Sequence, residues 1–139
     1  MIRGSCLCGQ VAVNITGQIE AIIHCHCSKC RKSSGSAYST NGFVAKTDFA
    51  VTKGAQQLGR YETAPGKIRY FCRTCASPIY STSETTPNFI RLRLGILDTD
   101  IDARPSSHNF ITSKANWEEL NAPLPCYEEH EPDRARFKQ

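Results

Sequence analysis

The chain reads as a mostly β, single-domain fold stapled through clustered cysteines. Three observations carry this reading. Apolar and polar residues alternate over short stretches, the pattern of half-buried strands. These stretches recur at intervals of about eight to twelve residues, which favours an all-β architecture. Seven of the 8 cysteines fall into three tight clusters: Cys6-Leu7-Cys8, Cys25-His26-Cys27-Ser28-Lys29-Cys30 and Cys72-Arg73-Thr74-Cys75.

The elements follow in order. Val11, Val13 and Ile15 alternate with polar residues and form the first strand. Ala21-Ile22-Ile23 runs straight into the second cysteine cluster. Ser28 to Ser34 forms one short turn of helix, ended by Gly35. Tyr38 to Val44, Phe49 to Thr52, Leu58 to Glu62, Lys67 to Phe71 and Pro78 to Ser81 read as further short strands, separated by Gly, Pro, Asp and Lys. In Phe89 to Leu94, apolar and basic positions alternate from Ile90 onward, which predicts one buried face and one wet face. Asn116 to Leu120 reads as a single helical turn with Asn116 as its N-cap. Pro105, Pro123 and Pro125 keep the last third irregular. From Glu128 almost every residue is charged, so residues 128–139 read as a surface tail on a domain of residues 1–127.

A length of 139 residues fits one domain with a real core, to which metal sites would add stability. The first residues lack the apolar stretch of a signal peptide, and no run approaches the roughly 18 apolar residues of a membrane span. The default reading is a soluble cytoplasmic protein with no membrane partner. In that reducing compartment, paired cysteines are more often metal ligands than disulfides. The formal charge of +4 overstates the basic balance. Seven thiolates and two zinc ions would bring it to about +1, and no basic stripe is interleaved with aromatics, so nucleic acid is an unlikely partner.

Seven clustered thiols divide as four plus three. A structural zinc takes four ligands, while a catalytic zinc keeps three and leaves one position open. Cys6 and Cys8, two apart on an extended segment, point the same way. Cys72 and Cys75 have the spacing of a zinc-knuckle turn. Each pair supplies half of a tetrahedral site, and joining them would close a long loop. Iron–sulfur fits less well, since the spacings match no common ferredoxin run. Cys25, Cys27 and Cys30 form a three-ligand CxCxxC. On an extended segment, His24 and His26 face away from those thiols, so they read as partly buried, hydrogen-bonded residues, with a general-base or substrate-contact role as the sharper option. Cys126 reads as a semi-buried hydrophobe, or as a fourth ligand that would close the second site. Lys29, Arg31, Lys32, Arg69 and Arg73 crowd the clusters, as charge compensation for thiolates or as contacts for an anionic ligand.

The cysteine segments, with Gly4-Ser5, Gly9-Gln10-Val11, Arg31-Lys32, Gly35 and Arg69-Tyr70-Phe71, resemble the glutathione-dependent formaldehyde-activating enzyme (GFA) family. That family shares its domain with centromere protein V. Gly95, Leu97-Asp98, Pro105, His108 and Trp117 extend the resemblance to about Tyr127. It implies several small curled antiparallel sheets in a tent-like arrangement. By position, it implies a structural zinc on Cys6, Cys8, Cys72 and Cys75 and a catalytic, labile zinc on Cys25, Cys27 and Cys30. The implied activity is of the carbon–sulfur lyase type, the condensation of glutathione or a similar thiol with formaldehyde or another small aldehyde. Lys29, Arg31 and Arg69 would hold the glutathione carboxylates. An open site that already carries three thiolates makes its zinc a poor Lewis acid, so orientation of the two substrates would matter more. The alternative is a non-catalytic zinc-stabilised module that binds a thiol metabolite, a protein or nucleic acid. A homo-oligomer fits either reading. One departure from the family pattern stands out: Ala76 occupies a knuckle position where Gly is usual. Ala there costs about 1 kcal/mol if the backbone is left-handed.

Overall fold

The computed structural model describes residues 1–120 and 123–138. Its described strands form two open sheets, so the mostly β expectation holds. The smaller sheet orders β1 (Ile2–Ser5), β2 (Ala12–Ile15) and β5 (Phe49–Lys53) as β1-β2-β5. The larger sheet contains β3 (Glu20–Cys25), β4 (Ser39–Ala45), β6 (Leu58–Ala64), β7 (Lys67–Cys72), β8 (Pro78–Ser83), β9 (Phe89–Arg93) and β10 (Ser107–Asn109). Its order is β10-β3-β4-β9-β8-β7-β6. Neighbours are antiparallel except β10, which runs parallel to β3 in the register Ser107↔Ile23, His108↔His24 and Asn109↔Cys25.

The alternating residues build one core. Val11, Val13, Ile15, Ile22, Val44, Ile79, Ile90 and Leu92 are all buried in it. Each such side chain contributes about 1.5–3 kcal/mol by leaving water. Cys6 and Cys72 are buried in the same cluster, so the first pair of thiol segments is anchored in the core. The short strand β1 escapes the sequence pattern because its Gly4 is there for space. A Cβ at Gly4 would stand 2.9 Å from the Ile96 carbonyl oxygen.

Helix α1 (Ser28–Ser34) forms as expected. Cys27 is its N-cap, with its sulfur accepting from the Cys30 amide. Gly35 ends it in the left-handed conformation (φ 66°), and its amide donates to the Arg31 carbonyl. Three sequence expectations are corrected. Residues 116–117 form only a turn, closed by the Glu118 amide on the Ala115 carbonyl at 3.1 Å, and Trp117 is exposed. The basic face of β9 is not wet: Arg93 is buried, and Arg91 is half-buried.

The segment from Glu128 also departs from its reading as a surface tail. Glu131, Arg134 and Phe137 are buried. Phe137 stacks on Phe43 of β4 at 4.0 Å, and Glu131 pairs with Arg134 while accepting from Asn109 Nδ2 at 3.0 Å. Spaced at i, i+3 and i+6, these three residues share one side of a short 3-10 turn (Pro132–Phe137), and solvated charges occupy the other. Gln139 of that expected tail lies outside the described residues. Among the described residues, no helix is long and apolar enough to cross a membrane.

Candidate metal centres and the thiol groove

The chain brings its clustered cysteines together in two groups. The sulfurs of Cys6, Cys8, Cys72 and Cys75 all lie within 4.8 Å of one another, as do those of Cys25, Cys27 and Cys30. The eight thiols are free. The Cys6–Cys8 and Cys8–Cys72 sulfur separations are 3.6 Å and 3.8 Å. A disulfide would need about 2.05 Å. Ligands about 2.3 Å from a tetrahedral zinc stand about 3.8 Å apart along the tetrahedron's edge, so the four-thiol group fits such an ion.

The first group joins the β1–β2 turn to the β7–β8 turn. The Val11 amide donates to Cys6 Sγ at 3.2 Å, and Cys75 Sγ lies 3.2 Å from Ser77 Oγ. The Ser77 hydroxyl and then its amide pull the Cys75 thiol down to about 5. The Ala76 amide closes the knuckle on the Cys72 carbonyl at 2.8 Å. Ala76 has φ 65°, the strained left-handed conformation.

The second group is local. Cys25 ends β3, Cys27 caps α1, and Cys30 sits in the first turn of that helix. Hydrogen bonds from Cys25 and Cys27 hold the Cys30 thiol far below its ordinary range, with the Arg69 charge adding to them. The same thiol contacts, with Cys27 first, push Cys25 up. Arg69 Nη2 donates to Cys30 Sγ at 3.7 Å. Three cysteine sulfurs within 4.8 Å of one another, with the Arg69 guanidinium beside Cys30, form a donor set able to hold a cation.

These three cysteines line a groove of about 260 Å³. Lys29 and Arg69 line it too; Arg31 does not. Among the groove residues that lay outside the sequence reading as site residues are Lys67, Ser81, Arg91 and His130. A signal for Arg91 existed, because an arginine on alternate positions of an apolar strand must face something. A neighbouring cavity of about 420 Å³ shares Lys29 and Arg69 and is walled by Tyr61, Tyr70, Phe71 and Tyr80. Arg93 reaches it; burial pulls that guanidinium down to about 9, which leaves it charged at neutral pH.

His24 and His26 face away from the thiols, as expected, and no histidine nitrogen joins either described thiol group. His24 Nδ1 contacts Thr40 Oγ1 at 2.8 Å, and His26 Nε2 contacts His108 Nδ1 at 2.8 Å. Burial, reinforced by His108, holds His24 and His26 down to about 4, so both are neutral at pH 7. They tie β3 to β4 and to β10. Cys126 belongs to neither thiol group; its side chain is exposed, not semi-buried, and points at the Leu124 carbonyl oxygen at 3.6 Å.

Fold and sites together define a β-rich protein with one four-thiol and one three-thiol cluster, each able to hold a metal ion. Residues 1–113 match the family described as glutathione-dependent formaldehyde-activating enzyme, and the chain belongs to that family. A Halomonas elongata relative that carries this description as a provisional name is 28% identical over 130 residues, which are 88% of this chain and 82% of the relative. An Aspergillus flavus protein, provisionally named in the same way, is 28% identical over 116 residues. Those residues are 82% of this chain but only 54% of that longer protein. A crystal structure of a Rhodobacter sphaeroides protein superposes with a TM-score of 0.61 at 23% identity, over 72% of this chain and 91% of the other.

Proposed function

We propose that the chain is a zinc-dependent enzyme of the carbon–sulfur lyase type. It joins glutathione, or a similar small thiol, to formaldehyde or another small aldehyde. The observation that carries this reading is the three-thiol cluster in a cation-lined groove of a chain that belongs to this family. A zinc ion on Cys25, Cys27 and Cys30 would supply the positive charge that keeps a substrate thiol deprotonated near neutral pH. A second zinc on Cys6, Cys8, Cys72 and Cys75 would serve the fold.

The chain's own residues do the rest. Lys29 and Arg69 hold a carboxylate of the thiol substrate, and Arg69 also faces Cys30. The thiolate sulfur adds to the carbonyl carbon, the carbonyl π pair moves to oxygen, and that oxygen takes up a proton equivalent to the one the thiol gave. No group leaves. The groove's task is to hold two reactants in line, which can be worth about 7–11 kcal/mol of barrier. His24 and His26 are assigned no part in proton transfer, because they do not line the groove and instead contact Thr40 and His108.

The test is the rate of S-hydroxymethylglutathione formation by the purified, zinc-loaded protein, followed by NMR. Acceleration over the spontaneous reaction, lost in Cys30→Ser, is the expected result. No acceleration with both zinc ions present would sink the reading.

A further inference from the structure

A row of polar groups crosses the floor of the thiol groove with nothing to bond to. Arg69 on β7 is in register with Ser81 on β8, and Ser81 is in register with Arg91 on β9. Residues opposite one another in adjacent strands project from the same face, with Cβ atoms about 4.5–5.5 Å apart. All three line the groove beside Cys25, Cys27 and Cys30. Arg69 Nη1, Ser81 Oγ and Arg91 Nε are each buried without a hydrogen-bond partner among the described residues. Leaving a buried donor unpaired is costly, and more so when it is charged. Three such atoms in one row call for an acceptor from outside the chain.

Charge compensation for the thiolates does not account for the row. It explains the Arg69 Nη2 contact with Cys30, but not the other Arg69 nitrogen or a neutral serine. The described lining of the groove holds Lys29, Lys67, Arg69 and Arg91 and no Asp or Glu. The acceptor that fits is therefore a small oxyanion, held in the forked geometry that guanidinium groups prefer.

We propose that Arg69, Ser81 and Arg91 form a carboxylate cradle in the thiol groove, and that Ser81 and Arg91 are specificity-determining residues for a ligand that carries a carboxylate. This rests on reading the groove as the reaction site. The carboxylate belongs either to the thiol or to an aldehyde that is itself an acid. Both sources share the chemistry, and the cradle selects against ligands that lack it.

The test is calorimetric titration of the zinc-loaded full chain with three probes: glutathione, the carboxylate-free thiol cysteamine, and the aldehyde acid glyoxylate. Arg91→Gln is expected to weaken glutathione or glyoxylate by about tenfold to a hundredfold. Cysteamine binding should stay within twofold, and Arg91→Lys should restore part of the loss. Selective loss for glutathione assigns the carboxylate to the thiol, and selective loss for glyoxylate assigns it to the carbonyl partner. Equal losses for cysteamine and the acids, or no loss for either acid, overturn the cradle.

A second readout separates binding from folding. Without ligand, Arg91→Met and Ser81→Ala remove unpaired buried groups, so they should melt no lower than the parent. A fall in melting temperature for both would mark the residues as structural and overturn the proposal. A wild-type chain that binds glutathione through Arg91 yet gives no rate acceleration would refute the proposed reaction and leave the cradle standing. Acceleration that survives unchanged in Arg91→Gln would do the reverse.

Discussion

The two thiol clusters use the same ligand chemistry to different ends. The four-thiol cluster joins segments 64 positions apart, Cys8 to Cys72, and places Cys6 and Cys72 inside the main core. The three-thiol cluster spans six residues, lies against a groove, and borrows its surroundings from cationic strands. An ion in the first would close a long loop and hold two sheets together. An ion in the second would fix only one strand end and one helical turn. The sequence distance between ligands, more than their number, sets whether a metal supports a fold or can be lost without harm to it.

The sharpest way to break this comparison is to remove one thiol from each cluster. Cys72→Ser should leave no cooperative unfolding transition by circular dichroism, because a structural zinc is worth about 10–16 kcal/mol and a whole domain only about 5–15. Cys27→Ser should keep the folded spectrum, since Ser is a good N-cap for α1, while metal analysis shows one zinc in place of two. A chelator titration should repeat the contrast in one sample: the first zinc leaves with the far-UV spectrum unchanged, and the second leaves with unfolding. Loss of both in one step would contradict the comparison.

Smaller effects refine it. Phe137→Ala opens a cavity against Phe43, in the sheet that carries the three-thiol cluster. It should cost about 3–5 kcal/mol by urea titration without changing zinc content. Ala76→Gly relieves the left-handed strain in the four-thiol knuckle and should add about 1 kcal/mol. Cys126→Ser should change stability by no more than about 0.5 kcal/mol and leave both zinc ions in place. Loss of a zinc in that variant would make Cys126 a ligand after all.

Much of this was legible in the sequence wherever one simple rule governed. Alternation located β2 and β9, short stretches bounded by Gly, Pro, Asp and Lys located most of the strands between them, and clustered cysteines met where their spacing and the family resemblance placed them. The strand β10 was not legible, because Ser107, His108 and Asn109 are buried through hydrogen bonds and not through apolar contact. Arg91 and Arg93 were misread because alternation tells which residues share a face and not what that face meets. The last segment was misread for a related reason. Charged neighbours hide the i, i+3, i+6 set of Glu131, Arg134 and Phe137, whose burial depends on Phe43 and Asn109 far back in the chain.

The parallel pairing of β10 with β3 also governs the order of assembly. His26 waits for His108, 82 positions later, and Phe43 waits for Phe137. Contacts this distant form slowly, because chain entropy must be lost before they reward it. The CxCxxC segment has no such delay and can gather its three thiols as soon as Cys30 exists. As the chain is synthesised, the three-thiol cluster is thus complete once Cys30 has emerged, and the four-thiol cluster only once Cys75 has emerged.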